Sequence, residues 1–173
     1  MENIVLFAGP IGSGKTTIAQ ATAALIPKAV QVSFSDGLKM LACNENIPIY
    51  SRSDLQVFGE SIAYSRWRDL FVMTLECKRV PETNLFLIDG LRHPHILEGI
   101  RSDGHKVLLL YLNPGEKIIN RRRSKRGDSN ISDRHVSETH HRDLERLADL
   151  SMRGKLASSS SARAIAEFIK SYF

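Results

Sequence analysis

The sequence predicts a doubly wound α/β fold, in which a parallel sheet is covered by helices on both faces. Short apolar runs that suit strands alternate along the chain with longer segments of helical periodicity. Several runs, such as residues 106–112, are almost continuously apolar, which is typical of strands buried on both faces of a parallel sheet. The first run, residues 4–8, leads into a glycine-rich loop and then an alanine-rich segment, so the chain begins with a strand, a tight loop and a helix.

The composition is that of an ordinary globular protein, and we expect one domain over residues 1–173. Hydrophobic residues make up 42% and charged residues 25% of the chain. No apolar run approaches the roughly 18–20 residues that cross a bilayer, and the N-terminus lacks a signal segment. We therefore expect a cytoplasmic protein without a membrane partner, of undetermined oligomeric state. Cys43 and Cys77 lack metal-ligand or disulfide spacing and are expected in the core.

The glycine-rich loop fits the pattern G-x-x-x-x-G-K-[ST], which binds phosphate. Glycines let successive backbone N–H groups point inward, and the positive end of the following helix dipole, in residues 17–25, acts at the same place. Lys15 would reach the β- and γ-phosphates of ATP, and the Thr16 hydroxyl would bind Mg²⁺. The candidate ATP-binding residues are Gly9, Pro10, Ile11, Gly12, Ser13, Gly14, Lys15, Thr16 and Thr17.

The remaining elements follow in order along the chain. Further strands are expected at residues 29–34, 85–88, 106–112 and, more weakly, 150–152. Between the second and third strands lies a mostly helical excursion, residues 37–80, which Pro48 must interrupt. The later helices are expected at residues 115–126, 133–147 and 162–172, with loops at 127–130 and 158–161.

Two carboxylates are expected where strands end, at the edge where α/β proteins bind ligands. Asp89 follows the third strand and could hold Mg²⁺ with Thr16, although an Asp-Gly pair also makes ordinary turns. Asp36 follows the second strand, with Lys39 one helical turn later. It could orient an acceptor hydroxyl and take its proton, or cap a helix.

Arginines are expected to supply the positive charge of the site. Arg92, three residues after Asp89, could grip an acceptor phosphate or simply lie at the surface. The densest positive charge is the run from Arg121 to Arg126. Arg122 and Arg126 are four apart and share a helix face, which suits a lid that closes over the transferring phosphoryl group. A solvated helix face and a nucleic-acid-binding patch are the alternatives.

These segments together resemble the nucleotide kinases among the P-loop proteins. Within that branch the chain is similar to phage-type deoxynucleoside monophosphate kinases, with dephospho-CoA kinases and adenylate kinases as broader relatives. The resemblance covers most of the chain. The segments that carry it are residues 9–17, 33–39, 54–59, 88–94 and the basic run before Gly127.

The resemblance implies a P-loop NTPase three-layer sandwich with a five-stranded parallel sheet in the order 2-3-1-4-5. Residues 37–80 would hold the acceptor, on which Asp36 and Arg92 would act, and residues 121–132 would form the lid. Two segments depart from the adenylate kinase pattern. Gly-Leu-Arg-His-Pro stands at residues 90–94 where adenylate kinases carry Gly-Phe-Pro-Arg, and residues 154–160 show no clear adenine-binding signature.

We therefore expect Mg²⁺-dependent transfer of the ATP γ-phosphoryl group to a nucleotide-like acceptor, foremost a ribo- or deoxynucleoside monophosphate. One alternative is a kinase acting on a hydroxyl of a polynucleotide, of a modified base in DNA, or of dephospho-CoA. Others are an ATPase or switch without an acceptor, and a nucleic-acid-binding module that uses the basic run at Arg121–Arg126. A switch GTPase is disfavoured, because no Asn/Thr-Lys-x-Asp segment occurs.

Overall fold

A computed structural model describes residues 1–125, 140–154, 156 and 158–173. Five strands form one sheet in the order β2-β3-β1-β4-β5, and every neighbouring pair is parallel. The predicted fold class and strand order are therefore confirmed. The strands are β1 (Asn3–Ala8), β2 (Ala29–Ser33), β3 (Leu85–Leu91), β4 (Lys106–Asn113) and β5 (Leu150–Arg153).

Helices cover both faces of the sheet and complete the three layers. Their bounds are α1 (Lys15–Ala23), α2 (Phe34–Asn44), α3 (Arg52–Ser65), α4 (Trp67–Glu76), α5 (Pro94–Ser102), α6 (Glu116–Lys125), α7 (His141–Leu147) and α8 (Ser158–Tyr172). Side chains of α1 and α8 form one core with one face of the sheet. Side chains of α2, α3, α4, α5 and α7 form a second core with the other face. No helix in the described parts of the chain is both long and apolar enough to span a bilayer.

The parallel arrangement of the strands places the loops that follow them at one edge of the sheet. Because all five strands are parallel, their carboxyl ends meet at the same edge. At that edge β3 carries a bulge: Phe7 pairs with Asp89 but Ala8 pairs with Leu91, so Gly90 is the extra residue. Gly90 has a φ of 88°, which other residues rarely adopt. The bulge lets β3 continue past Asp89 rather than ending at residue 88 as predicted.

Some local predictions were wrong. Residues 158–161 form the first turns of α8 rather than a polar loop. The second strand ends at Ser33 rather than at residue 34, because the Ser33 side chain caps α2, which begins at Phe34. Cys43 is exposed near the end of α2, whereas Cys77 is half-buried against the core. Of the predicted helix at 133–147 only α7 is described, and residues 126–139 lie outside the described part.

Candidate active site

The loop between β1 and α1 has the tight backbone that a phosphate cradle requires. Gly9 has a φ of 134°, and a Cβ there would overlap the carbonyl oxygen of Leu112 in β4. Gly14 is the N-cap residue of α1 and has a left-handed conformation, with a φ of 94°. A side chain at either position would strain or displace the loop. The glycines of the motif are thus required by the backbone path.

Lys15 begins α1, and its side chain folds back over this loop. Its Nζ donates hydrogen bonds to the carbonyl oxygens of Gly9 at 2.6 Å and Pro10 at 2.9 Å. It also lies 3.4 Å from the Ser13 hydroxyl. The ammonium group is therefore held above the concave side of the loop, where the oxygens of a bound polyphosphate could replace these protein acceptors.

Thr16 and Asp89 come together at the carboxyl ends of the strands, as predicted for a Mg²⁺ site. The Thr16 hydroxyl hydrogen-bonds to the Asp89 carboxylate, which is 6% exposed. Burial raises the pKa of Asp89, while the Thr16 hydrogen bond and the charge of Lys15 oppose this shift. Asp89 Oδ2 has no hydrogen-bond partner in the described residues. Because Mg²⁺ prefers oxygen ligands, a buried carboxylate with an unsatisfied oxygen beside a hydroxyl fits this ion.

Helix α6 brings part of the basic run against the loop. Arg122 Nη1 donates hydrogen bonds to the carbonyl oxygens of Ser13 at 2.8 Å and Gly12 at 3.3 Å. Arg123 also lies close, since a Cβ on Gly12 would be 3.3 Å from its Cγ. Arg121 is exposed. Arg126, the expected partner of Arg122, lies outside the described part of the chain. Most of the predicted lid at residues 121–132 lies outside it too.

Two adjoining cavities open at this edge of the sheet. The smaller, of about 180 Å³, is lined by the loop, Lys15, Thr16 and Asp89. The larger, of about 540 Å³, lies among α2, α3 and the segment that follows β3. It occupies the helical excursion that the sequence predicted to hold the acceptor. Four residues line both cavities, and they are Ser35, Arg52, Gly90 and Arg92.

Arg52 is the site residue that the sequence analysis missed. It is the first residue of α3 and lies within a capping box, in which Ser51 and Asp54 satisfy each other's backbone N–H groups. The Ser-x-x-Asp spacing could have located this helix start. Only the packing of α3 within the excursion shows that Arg52 lines both cavities, as Arg92 does.

Asp36 has a different environment from the one expected for a catalytic base. Its Oδ2 accepts a hydrogen bond from the Ser33 hydroxyl at 2.8 Å, and its Oδ1 lies 3.5 Å from Lys39 Nζ. The helix-capping alternative for Asp36 was wrong, because Ser33 caps α2. Lys39 lines the larger cavity, but Asp36 is not among the residues that line either cavity.

Comparison with known proteins shows likeness in structure. Neither a protein-family model nor a curated protein matches the sequence. Among solved structures it is similar to shikimate kinase from Acinetobacter baumannii in complex with shikimate (TM-score 0.58, 16% identity, 99% of this chain and 94% of that chain). It is also similar to an uncharacterized protein from Eubacterium ventriosum (TM-score 0.55, 16% identity, 98% and 99%). At such identities the likeness establishes the fold.

Proposed function

We propose that the protein transfers the γ-phosphoryl group of ATP to the phosphate group of a small nucleotide-like acceptor. The observation that carries this proposal is the placement of Arg52 and Arg92 at the junction of the two cavities. Two guanidinium groups between a phosphate-binding loop and a second cavity suit a reaction in which donor and acceptor phosphates meet. The likeness to shikimate kinase, a structure solved in complex with shikimate, supports a P-loop kinase fold with a small-molecule acceptor.

The chemistry requires positioning rather than a protein base. An oxygen of the acceptor phosphate attacks the γ-phosphorus, the bond to the β,γ-bridging oxygen breaks, and its electron pair leaves with ADP. Lys15 and the loop would hold the donor, while Arg52 and Arg92 would orient the acceptor and Arg122 would offset negative charge near the loop. Thr16 and Asp89 would hold Mg²⁺, which would supply electrostatic stabilisation of the negative charge on the phosphates.

The position of Asp36 favours a phosphate acceptor over a hydroxyl acceptor. A hydroxyl must lose a proton during transfer, whereas a phosphate monoester is already ionised near neutral pH. Asp36 is the carboxylate that the sequence suggested as the acceptor of that proton. Its oxygens contact Ser33 and Lys39, and Asp36 lines neither cavity. The arrangement therefore supports a nucleoside monophosphate more than a sugar or polynucleotide hydroxyl.

The test is a transfer assay with ATP labelled at the γ-phosphate, in the presence of Mg²⁺. The acceptor panel contains the ribo- and deoxynucleoside monophosphates, dephospho-CoA, shikimate, and single- and double-stranded DNA and RNA. We expect label on a monophosphate. Label on a hydroxyl acceptor would refute the phosphate-acceptor proposal, and label found only in free phosphate would identify an ATPase.

A further inference from the structure

We infer that Gln56 recognises the hydrogen-bonding edge of a heterocyclic base carried by the acceptor, an inference that rests on the proposed function. Gln56 lies on α3 and lines the larger cavity but not the smaller one. It follows Arg52 by four residues, so the two share a helix face and are separated by ~6 Å along the helix axis. A ligand whose phosphate binds Arg52 would extend past Gln56.

The polar groups of the larger cavity differ between its two ends. Arg52 and Arg92 line both cavities, whereas Gln56, Glu60 and His93 line the larger cavity only. Lys39 also lines the larger cavity only, and its charge is paired with Asp36 at 3.5 Å. A second phosphate or a carboxylate at that end would be repelled by Glu60. The cation-rich end thus suits the acceptor phosphate, and the other end suits an uncharged group that forms hydrogen bonds.

Two side chains at this end carry buried polar atoms that lack a partner. Gln56 Nε2 and His93 Nδ1 have no hydrogen-bond partner in the described residues, and His93 is only 5% exposed. An unsatisfied buried polar group is destabilising, because it has lost its hydrogen bonds to water without replacement. A ligand that bonds to the Gln56 amide would remove part of this cost, and so would bind more tightly than one without such an edge.

His93, which lines the larger cavity, is a neutral group rather than a cation. Burial lowers its pKa to about 4, with further lowering by His95, His140 and Arg92. Its Nε2 lies 3.6 Å from Glu60 Oε1, so a proton on Nε2 would face the carboxylate and leave a lone pair on Nδ1. Neutral His93 therefore adds no charge that would attract an anion.

The rest of the cavity suits a flat apolar ring. Its lining includes the aromatic ring of Phe34 and the aliphatic side chains of Leu38, Leu55, Leu70 and Ile96. Small-molecule sites of this kind combine apolar walls with a few polar groups that fix orientation. A side-chain amide presents a donor and an acceptor next to each other. This pair is complementary to the adjacent acceptor and donor on the edge of a nucleobase.

The experiment compares acceptors with and without a base. Steady-state phosphorylation would be measured with the four deoxynucleoside 5′-monophosphates and with 2-deoxyribose 5-phosphate, which keeps the sugar phosphate but lacks the base. The variants are Gln56→Leu, which removes the amide at similar size, and Gln56→Glu. The control is Val57→Ala, because Val57 is the next residue of α3, is 65% exposed and lines neither cavity.

We expect the wild-type protein to favour one base and to use 2-deoxyribose 5-phosphate at least about 100-fold less efficiently, since a site built to hydrogen-bond a group rejects analogues that lack it. Gln56→Leu should lower kcat/KM for the preferred monophosphate by about 10-fold or more, mainly through KM. The loss with the sugar phosphate should be much smaller, because that acceptor has no base for Gln56 to contact. The thermal midpoint of the variant should match that of Val57→Ala, which shows that the fold is intact. Gln56→Glu should change the order of preference among the bases.

Equal use of the base-free acceptor by the wild type would overturn the inference while leaving the kinase proposal in place. So would an equal loss with both acceptors in Gln56→Leu. Failure of every monophosphate and of the sugar phosphate to accept label would instead refute the proposed function, and the inference would fall with it.

Discussion

Arg122 Nη1 lies 2.8 Å from the carbonyl oxygen of Ser13 and donates a hydrogen bond to it across 109 residues of sequence. The contact joins α6 to the loop that precedes α1, so the guanidinium group lies against the loop that we propose binds the phosphates of ATP. The sequence alone left the basic run open to three interpretations. For Arg122 the geometry supports a role at the phosphates.

Replacing Arg122 tests that role. Arg122→Ala should lower kcat by on the order of 100-fold or more while changing the ATP dissociation constant much less, because arginines at transferring phosphoryl groups act mainly in the transition state. The measurements are steady-state kinetics and ATP binding by calorimetry. Arg121→Ala is the matched control, since Arg121 is the exposed preceding residue. Equal kinetic effects in both variants, or a loss of DNA affinity at unchanged turnover, would support a general basic surface.

Arg52 and Arg92 are predicted to bind the same acceptor phosphate. Arg52→Ala and Arg92→Ala should each reduce kcat/KM for the acceptor by about 100-fold, and the double variant should lose less than the product of the two effects, because residues with a shared partner are not additive. Arg68→Ala serves as the control, because Arg68 is 65% exposed and pairs with Asp103 away from both cavities. Strictly additive effects on the acceptor would argue against a shared phosphate.

Asp89 is predicted to reduce stability while it supports Mg²⁺ binding. Its carboxylate is buried with one oxygen unsatisfied, so Asp89→Asn should raise the thermal midpoint at neutral pH in the absence of Mg²⁺, by an amount corresponding to about 1 kcal/mol. The same variant should lose at least about 100-fold in Mg²⁺-dependent turnover. A variant that is less stable and equally active would show that Asp89 is a structural residue only.

His93 is predicted to make stability fall as the pH is lowered from about 6.5 to about 4. Its pKa is about 4 in the folded protein and near 6.5 in the unfolded chain, so within this window the unfolded chain holds a proton that the folded protein does not. The effect should be no more than about 3 kcal/mol, because one pKa unit corresponds to about 1.4 kcal/mol.

The measurement for His93 is urea unfolding of the wild type and of His93→Gln between these pH values. Because Gln does not titrate, the variant should lack the loss of stability that His93 causes at low pH. The free energy of unfolding of the variant, relative to that of the wild type, should therefore rise as the pH is lowered through the window. Other groups titrate equally in both proteins and cancel. A difference that stays constant with pH would show that His93 is not held neutral by burial.

The sequence predicted those features that local patterns determine. Apolar runs located all five strands, and the spacing of glycines with Lys15 located the phosphate loop. The ends of elements were less predictable, because they depend on single contacts. Ser33 caps α2, so Asp36 lies in the first turn of that helix. The bulge at Gly90 lets β3 continue past Asp89.

Residues whose role depends on tertiary packing could not be predicted. Nothing in the sequence around Arg52 indicates that this residue lines the same two cavities as Arg92, since that depends on how the excursion folds near the strand ends. Likewise, helical spacing paired Arg122 with Arg126. Arg126 lies outside the described residues, so that pairing stays a prediction. The structure places Arg123, which the prediction did not include, beside Gly12.

The most direct test of the central claim is transfer of the labelled γ-phosphoryl group from ATP to a nucleoside monophosphate, measured side by side for the wild type and Lys15→Ala. The account predicts a labelled nucleoside diphosphate from the wild type. It predicts a rate at least about 1,000-fold lower from Lys15→Ala, because the ammonium group supports the β- and γ-phosphates during transfer. The two proteins should have similar thermal midpoints. Undiminished transfer by Lys15→Ala, or release of label from the wild type only as free phosphate, would contradict the account.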